Sequence, residues 1–334
     1  MKYEQLKLNL KSKVEGLYLL FGEDLFLLDN SLKLIKQFAN IEMPEINYSQ
    51  YSEGDIDCVM LVKELETLPA FSSKKLVYVD ISSKNAKLVN EKKLNEYLEN
   101  PNDTSILVIN IGSMAKPDKV NFDKFVEVDC NKLSSELVSK FIVANIKAYN
   151  KQITVDALNV LMEYTLGDLQ AINSEIIKLI NFVGDKSQIS YEDVASNVNK
   201  SIEYQIFELT EGLGKKDFKK TFEILDDIKL GGKPKGKDSS ASSNAVRGIF
   251  SLIYNHFRRL FFVSMNSYSK SEYAKYLKVQ EYAVTKVMGQ LKLFTTKRLK
   301  EVIDLCSEFD FKIKQSQIQE WNAIEIICLT ILNQ

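Results

Sequence analysis

The sequence predicts an α/β domain built on a parallel sheet and followed by two all-α domains, with boundaries at 1–132, 133–202 and 203–334. Three observations carry this reading. Five short β-rich runs fall within the first 130 residues, helical patterns alternate with them, and after Cys130 the helical patterns continue alone. A β-α-β-α order implies a parallel sheet covered by helices. A chain of 334 residues is long enough for two or three domains with real cores.

The strands are expected at Leu17–Phe21, Ile46–Tyr51, Leu76–Ile81, Ser105–Ile111 and Phe125–Cys130. Three of them are almost continuously apolar, as strands buried on both faces are. Between them, Asp24–Phe38 sets Leu28, Leu32 and Ile35 at helical spacing, and Ile56–Leu65 and Asn90–Leu98 show the same period. Ser134 reads as the N-cap of a helix running to about Tyr149, and Thr154 caps the next, with Leu158, Leu161 and Met162 on one face. Gly167-Asp168 breaks the chain and starts a third helix that turns Ile172, Ile176, Leu179 and Ile180 inward. A short helix is expected at Ser190–Asn197. Helices resume from Tyr204 to Leu230, and GGKPKGKDSSASSN, residues 231–244, reads as a flexible solvated loop. About four more helices are expected from Ala245, the last near Trp321–Leu332 with Ile324, Ile327, Cys328 and Ile331 inward.

Composition is ordinary for a globular chain, with 45% apolar and 27% charged residues. Lys+Arg (44) nearly balance Asp+Glu (45), so any contact with nucleic acid must come from a local basic surface. The only arginines are Arg247, Arg258, Arg259 and Arg298, so the first 246 residues lack the side chain best suited to bidentate phosphate recognition. Cys58, Cys130, Cys306 and Cys328 form no CxxC pair and read as buried thiols of a reducing cytosol. The N-terminal MKYEQLKLNLKSKVEG lacks a signal peptide's apolar stretch, and no run approaches the roughly 20 apolar residues of a membrane span. A soluble cytoplasmic protein without a membrane partner is expected.

The first strand-to-helix turn is where a phosphate loop would sit, because helix N-terminal N–H groups attract phosphate. Here it reads Phe21-Gly22-Glu23-Asp24, with one glycine, no lysine and two carboxylates facing any triphosphate. Asp80, ending LVYVD, resembles the magnesium-binding Asp of ATPases, but Ile81 follows it where a water-polarising acid belongs, and it reads as a turn cap. His256 is the sole histidine, which rules out a histidine metal cluster; it reads as a surface or half-buried helix residue among aromatics. GxSxG and GxGxxG are absent. No catalytic, cofactor-binding or metal-binding residues are assigned.

What remains is ETLPAFSSKKLVYVD, residues 66–80, where apolar Leu68, Pro69, Ala70 and Phe71 sit on a proline-bent turn beside residues that must face water. Together with LYLLFGEDLFLLDNSL and LGDLQAINSEIIKLINF, this stretch resembles the delta subunit of the bacterial DNA polymerase III clamp loader. The likeness rests on Gly22, Glu23, Phe26 and Leu27, then Pro69, Phe71, Lys74, Lys75 and Leu76–Val79, then Gly167, Asp168, Leu169, Glu175, Lys178 and Leu179. It continues in AKYLKVQEYAVTKV and LCSEFDFKIKQS, with Asp310 and Lys314. The chain departs from the family's clamp-binding hexapeptide at Glu66 and Ala70, and its Gly/Lys/Ser stretch is longer than usual.

The resemblance implies an AAA+-like N-terminal domain, a lid-like helical domain and a C-terminal collar domain. It implies a subunit of a DNA-directed DNA polymerase holoenzyme with no intrinsic activity, which grips the beta sliding clamp and helps load it onto primed DNA. Its implied partners are the clamp, the gamma/tau and delta-prime subunits, which bind the ATP, and primer-template DNA. The implied clamp-binding residues are Leu68, Pro69, Ala70 and Phe71, with Lys74 and Lys75 at the rim. Lys297, Arg298 and Lys300 are candidates for DNA contact through phosphates. The alternatives are an AAA+-shaped scaffold of another DNA-associated complex and a divergent, weakly nucleotide-binding ATPase.

Overall fold

A computed structural model of the chain describes residues 1–83, 85–231 and 239–333. It divides into two units, Met1–Lys132 and Leu133–Gln334.

The first unit runs α1 (Tyr3–Ser12), β1 (Leu17–Phe21), α2 (Leu25–Ala39), α3 (Pro44–Asn47), β2 (Tyr48–Tyr51), β3 (Gly54–Asp57), α4 (Cys58–Glu66), β4 (Lys75–Asp80), β5 (Ala86–Val89), α5 (Glu91–Glu99), β6 (Ser105–Gly112) and β7 (Val126–Asp129). Its sheet has the order β2-β4-β6-β1-β7, with every pair parallel. All eight residues of β6 are buried, as are Leu76, Val77 and Val79 of β4. Each aliphatic side chain among them taken out of water contributes about 1.5–3 kcal/mol, so the central strands carry the domain. β2 lies at one edge, and its register against β4 pairs Tyr48 with Leu76. The segments leading into these two strands, 42–47 and 67–74, are thereby neighbours at the N-terminal end of the sheet.

The five expected strands are all present, with two boundaries corrected. Ile46 and Asn47 belong to a one-turn helix, because Pro44 occupies its first position with φ already suited to a helix. Ile56 and Asp57, expected to begin a helix, instead pair in β3, and Asp57 then caps α4 by accepting from the Val59 N–H at 3.0 Å. The β3–β5 ladder is too short to leave a period in the sequence.

The second unit contains α6 (Ser135–Lys147), β8 (Gln152–Ile153), α7 (Val155–Thr165), α8 (Leu169–Val183), β9 (Gln188–Ile189), α9 (Tyr191–Asn197), α10 (Ile202–Lys215), α11 (Phe218–Gly231), α12 (Ser239–Met265), α13 (Lys270–Leu277), α14 (Glu281–Gln290), a 3₁₀ turn (Leu291–Leu293), α15 (Thr296–Lys314) and α16 (Glu320–Asn333). The two N-caps read from sequence form, Ser134 and Thr154 accepting from the backbone N–H groups of Leu137 and Ala157; Asp168 likewise accepts from Ala171 N–H, and Ser190, expected inside its short helix, caps it through a capping box with Asp193. Each is typically worth about 1 kcal/mol. Strands do not end at Cys130, since β8 and β9 pair in parallel over two residues. Within the stretch 231–244 expected as a loop, Gly231 ends α11 and residues 239–244 belong to α12, and the rest of it lies outside the described residues. From Ser239 on, the described residues form five α-helices rather than four. Their core joins α10, α12, α14, α15 and α16 around Phe257, Leu260, Ile324 and Cys328.

Candidate functional site

The turn between α4 and β4 is fastened at its entrance, exit and middle. At the entrance, the Lys75 ammonium forms an ion pair with Glu64 at 3.0 Å and also donates to the Glu64 carbonyl. A cation there offsets the negative end of the α4 dipole. Burial pushes the Glu64 carboxyl up, but hydrogen bonds from Lys75 and Ser49 outweigh it and hold the group below the usual carboxylate value. The Ser105 hydroxyl donates to the Leu65 carbonyl at 2.5 Å. At the exit, the Lys74 ammonium donates to the Asp103 carbonyl. Ser72 Oγ donates to the Lys74 carbonyl at 2.7 Å and accepts from the Glu42 N–H at 3.3 Å. In the middle, the buried Asn47 amide bonds to both polar backbone groups of Ala70.

On this fastened frame the apolar side chains point outward. Leu68 is 72% exposed and Phe71 is 84% exposed, while Pro69 and Ala70 are half-buried. Phe71 also has φ +54°, the left-handed region. That conformation costs a residue with a Cβ roughly 1–2 kcal/mol, so neither the backbone nor the ring of Phe71 benefits the chain on its own. Lys75 departs from the expected rim position. It is 4% exposed and serves the fold through Glu64, because its place at the start of β4 turns it inward while Lys74 remains partly exposed.

At the opposite, C-terminal end of the sheet, the β1–α2 turn is closed. Gly22 has φ +140°, and a Cβ there would lie 2.2 Å from the Cys130 carbonyl carbon, so only glycine fits. Three N–H groups of this turn and helix start are engaged within the chain. Gly22 N–H donates to the Gly112 carbonyl at 2.8 Å, Asp24 N–H to the Cys130 carbonyl at 3.1 Å, and Leu27 N–H to the Asp24 carboxylate at 3.1 Å.

Two family models match the chain: DNA polymerase III, delta subunit, over residues 18–136, and DNA polymerase III delta subunit, C-terminal domain, over residues 203–331. The chain belongs to the DNA polymerase III delta subunit family. Among its delta relatives, DNA polymerase III subunit delta of Bacillus subtilis (strain 168) is 24% identical over 344 residues, covering 97% of this chain and 95% of the relative. A probable DNA polymerase III subunit delta of Aquifex aeolicus (strain VF5) is 27% identical over 104 residues, 30% of this chain and 29% of the relative. Among solved structures, a Bacillus subtilis DNA clamp loader delta protein superposes with a TM-score of 0.76 at 23% identity, over 99% of this chain and 98% of that one. The fold is accordingly the delta fold, a parallel-sheet domain followed by helices.

Three of the remaining candidates of this delta-family chain, Asp80, His256 and Arg298, have structural partners. Asp80 caps a turn as expected, accepting from the Ser82 N–H at 2.9 Å. His256 is not on the surface or half-buried. It is 2% exposed, packs edge-on to Phe207 with ring centroids 4.4 Å apart, and bonds through Nε2 to Gln290 Oε1 at 2.8 Å. Arg298 turns away from solvent. Its guanidinium donates to the Ile331 carbonyl near the end of α16 and lies over the Phe294 ring, 5.8 Å from the centroid. Lys297 and Lys300, on the same helix, are exposed. Among the described residues, no cluster of His, Cys, Asp or Glu could hold a metal ion, and no helix is long and apolar enough to cross a membrane. Asn47 escaped the sequence reading, because its partner Ala70 is 23 positions away and nothing local in the sequence marks the link.

Proposed function

We propose that this chain is a non-catalytic clamp-loading subunit that grips the beta sliding clamp with Leu68 and Phe71. The observation that carries the reading is Phe71, a large aromatic side chain 84% exposed on a left-handed backbone and held there by a fastened turn. Leu68 and Phe71 entering an apolar pocket together supply ~3–6 kcal/mol of gross hydrophobic energy. A turn already shaped for binding loses less entropy on association, which leaves more of that energy to favour an opened clamp ring. The helical C-terminal region assembles with the delta-prime subunit and with the gamma/tau subunits, which supply ATP hydrolysis. Lys297 and Lys300 face the phosphates of primer-template DNA within that assembly. The protein works in the cytoplasm, in keeping with its four buried, unpaired thiols.

The ATPase alternative is disfavoured by the β1–α2 turn, whose Gly22 and Asp24 N–H groups bond within the chain and whose glycine faces the Cys130 carbonyl.

The test is to mix the full chain with its cognate sliding clamp and to compare it with the double variant Leu68→Ala, Phe71→Ala. Wild type forms a complex of one chain per clamp protomer engaged. The variant loses at least about 100-fold in affinity, with its melting temperature within about 2 °C of wild type. A variant that melts much lower yet binds the clamp as wild type does makes the turn a packing element and overturns the proposal.

A further inference from the structure

The Asn47 side chain is 2% exposed and grips the turn at a single residue. Its Oδ1 accepts from the Ala70 N–H at 2.9 Å, and its Nδ2 donates to the Ala70 carbonyl at 2.8 Å and to the Glu42 carbonyl at 2.7 Å. The partners fix the orientation of the amide, since an N–H can be met only by the oxygen and two carbonyls only by the NH₂ group. The Ala70 N–H belongs to the peptide plane before Ala70, and the Ala70 carbonyl belongs to the plane joining Ala70 to Phe71. Asn47 therefore holds both planes, and the second is the one against which the φ of Phe71 is set. Asn47 is itself held by the fold. It ends the short α3 helix, with its N–H donating to the Met43 carbonyl at 3.0 Å, and the next residue starts β2 in register with β4.

We infer that Asn47 is the positioning residue of this site: it keeps Phe71 in its left-handed conformation and presents the ring ready for its partner. The inference rests on the reading that Leu68 and Phe71 engage the sliding clamp. The turn carries exposed Leu68, Phe71 and Ser73, and the pairing of β4 with β2 and β6 does not depend on the Asn47 side chain. Losing the Asn47 bonds therefore frees the turn rather than unfolding the sheet. A freed turn presents Phe71 correctly only part of the time, and apparent affinity falls by that fraction. The loss appears in association, because the bound complex, once formed, makes the same contacts.

The test uses the full chain and immobilised cognate clamp, with association and dissociation rates measured separately. Asn47→Ala is expected to slow association about tenfold and to leave the dissociation rate within about twofold, with the far-ultraviolet spectrum unchanged. If Asn47→Ala does not fold, Asn47→Asp carries the same test, since it keeps the acceptor for the Ala70 N–H and removes both donors. Unchanged association by a folded Asn47 variant, or a loss confined to dissociation, overturns the inference. Phe71→Ala runs alongside. If it loses affinity while the Asn47 variant does not, only the positioning role falls. If Phe71→Ala keeps full affinity, the clamp-binding reading falls and the positioning role with it.

Discussion

His256 shows how one residue's burial becomes a property of the whole fold. It lies on α12, its Nε2 meets Gln290 of α14, and Gln290 Nε2 donates to the Phe207 carbonyl of α10 at 2.6 Å. Because that amide nitrogen is committed to Phe207, Gln290 Oε1 faces the ring, and His256 Nε2 carries the proton it donates. Burial pushes the imidazole down to about 4; the Gln290 hydrogen bond opposes the shift and Arg259 adds to it. The histidine is thus neutral in the folded chain at neutral pH. In the unfolded chain it titrates near its ordinary value, so between about pH 6.5 and 4 the unfolded state binds the extra proton. Stability is therefore lost as pH falls through that window. Urea unfolding at pH 7.5 and pH 5 should show a loss of about 2 kcal/mol from this group. His256→Asn, which keeps a hydrogen-bonding amide and does not titrate, should lose about that much less over the same interval. Equal pH dependence in the two proteins counts against the assignment.

Helix α15 separates two kinds of basic side chain that look alike in the sequence. Arg298 is bound to the Ile331 carbonyl and to the face of Phe294, whereas Lys297 and Lys300 are exposed. Each lysine that neutralises a phosphate contributes about 0.9 to the slope of log affinity against log salt. In the assembled clamp loader on primed DNA, Lys297→Ala with Lys300→Ala should reduce that slope by nearly 2. Arg298→Ala should leave the slope unchanged and lower the melting temperature instead. An unchanged slope in the double lysine variant removes these two residues from the DNA surface. What the sequence made legible follows the same division between local and distant. Strands buried on both faces leave apolar runs, and Ser134, Thr154, Asp168 and Ser190 mark helix starts beside the helices they cap, so those elements could be read directly. The β8–β9 pair leaves no period over its two residues, Asn47 meets Ala70 across 23 positions, and the fate of Arg298 depends on a helix 33 positions on. Lys75 was partly legible after all, because a strand sends successive side chains to opposite faces.

At the scale of the N-terminal unit, the two ends of one parallel sheet differ in a way that fits an exchange of roles. Open parallel sheets usually bind ligands beyond the carboxyl ends of their strands. Here that end is sealed by the Gly22 and Asp24 backbone bonds to Gly112 and Cys130, while the opposite end holds out Leu68 and Phe71. Closing the phosphate-loop position and exposing the apolar turn are independent features of the sequence, and together they favour the proposed protein-binding role over a nucleotide-binding one. Thermal unfolding of the full chain tests the exchange directly. A site for Mg-ATP with a dissociation constant of about 10 μM would add about 2.7 kcal/mol of stability at about 1 mM ligand, enough to raise the melting temperature by several degrees. The expected result is no rise with Mg-ATP and a clear rise with excess cognate clamp, the latter lost in the Leu68→Ala, Phe71→Ala variant. A rise with Mg-ATP that survives in that variant would return the nucleotide to the carboxyl end of the sheet.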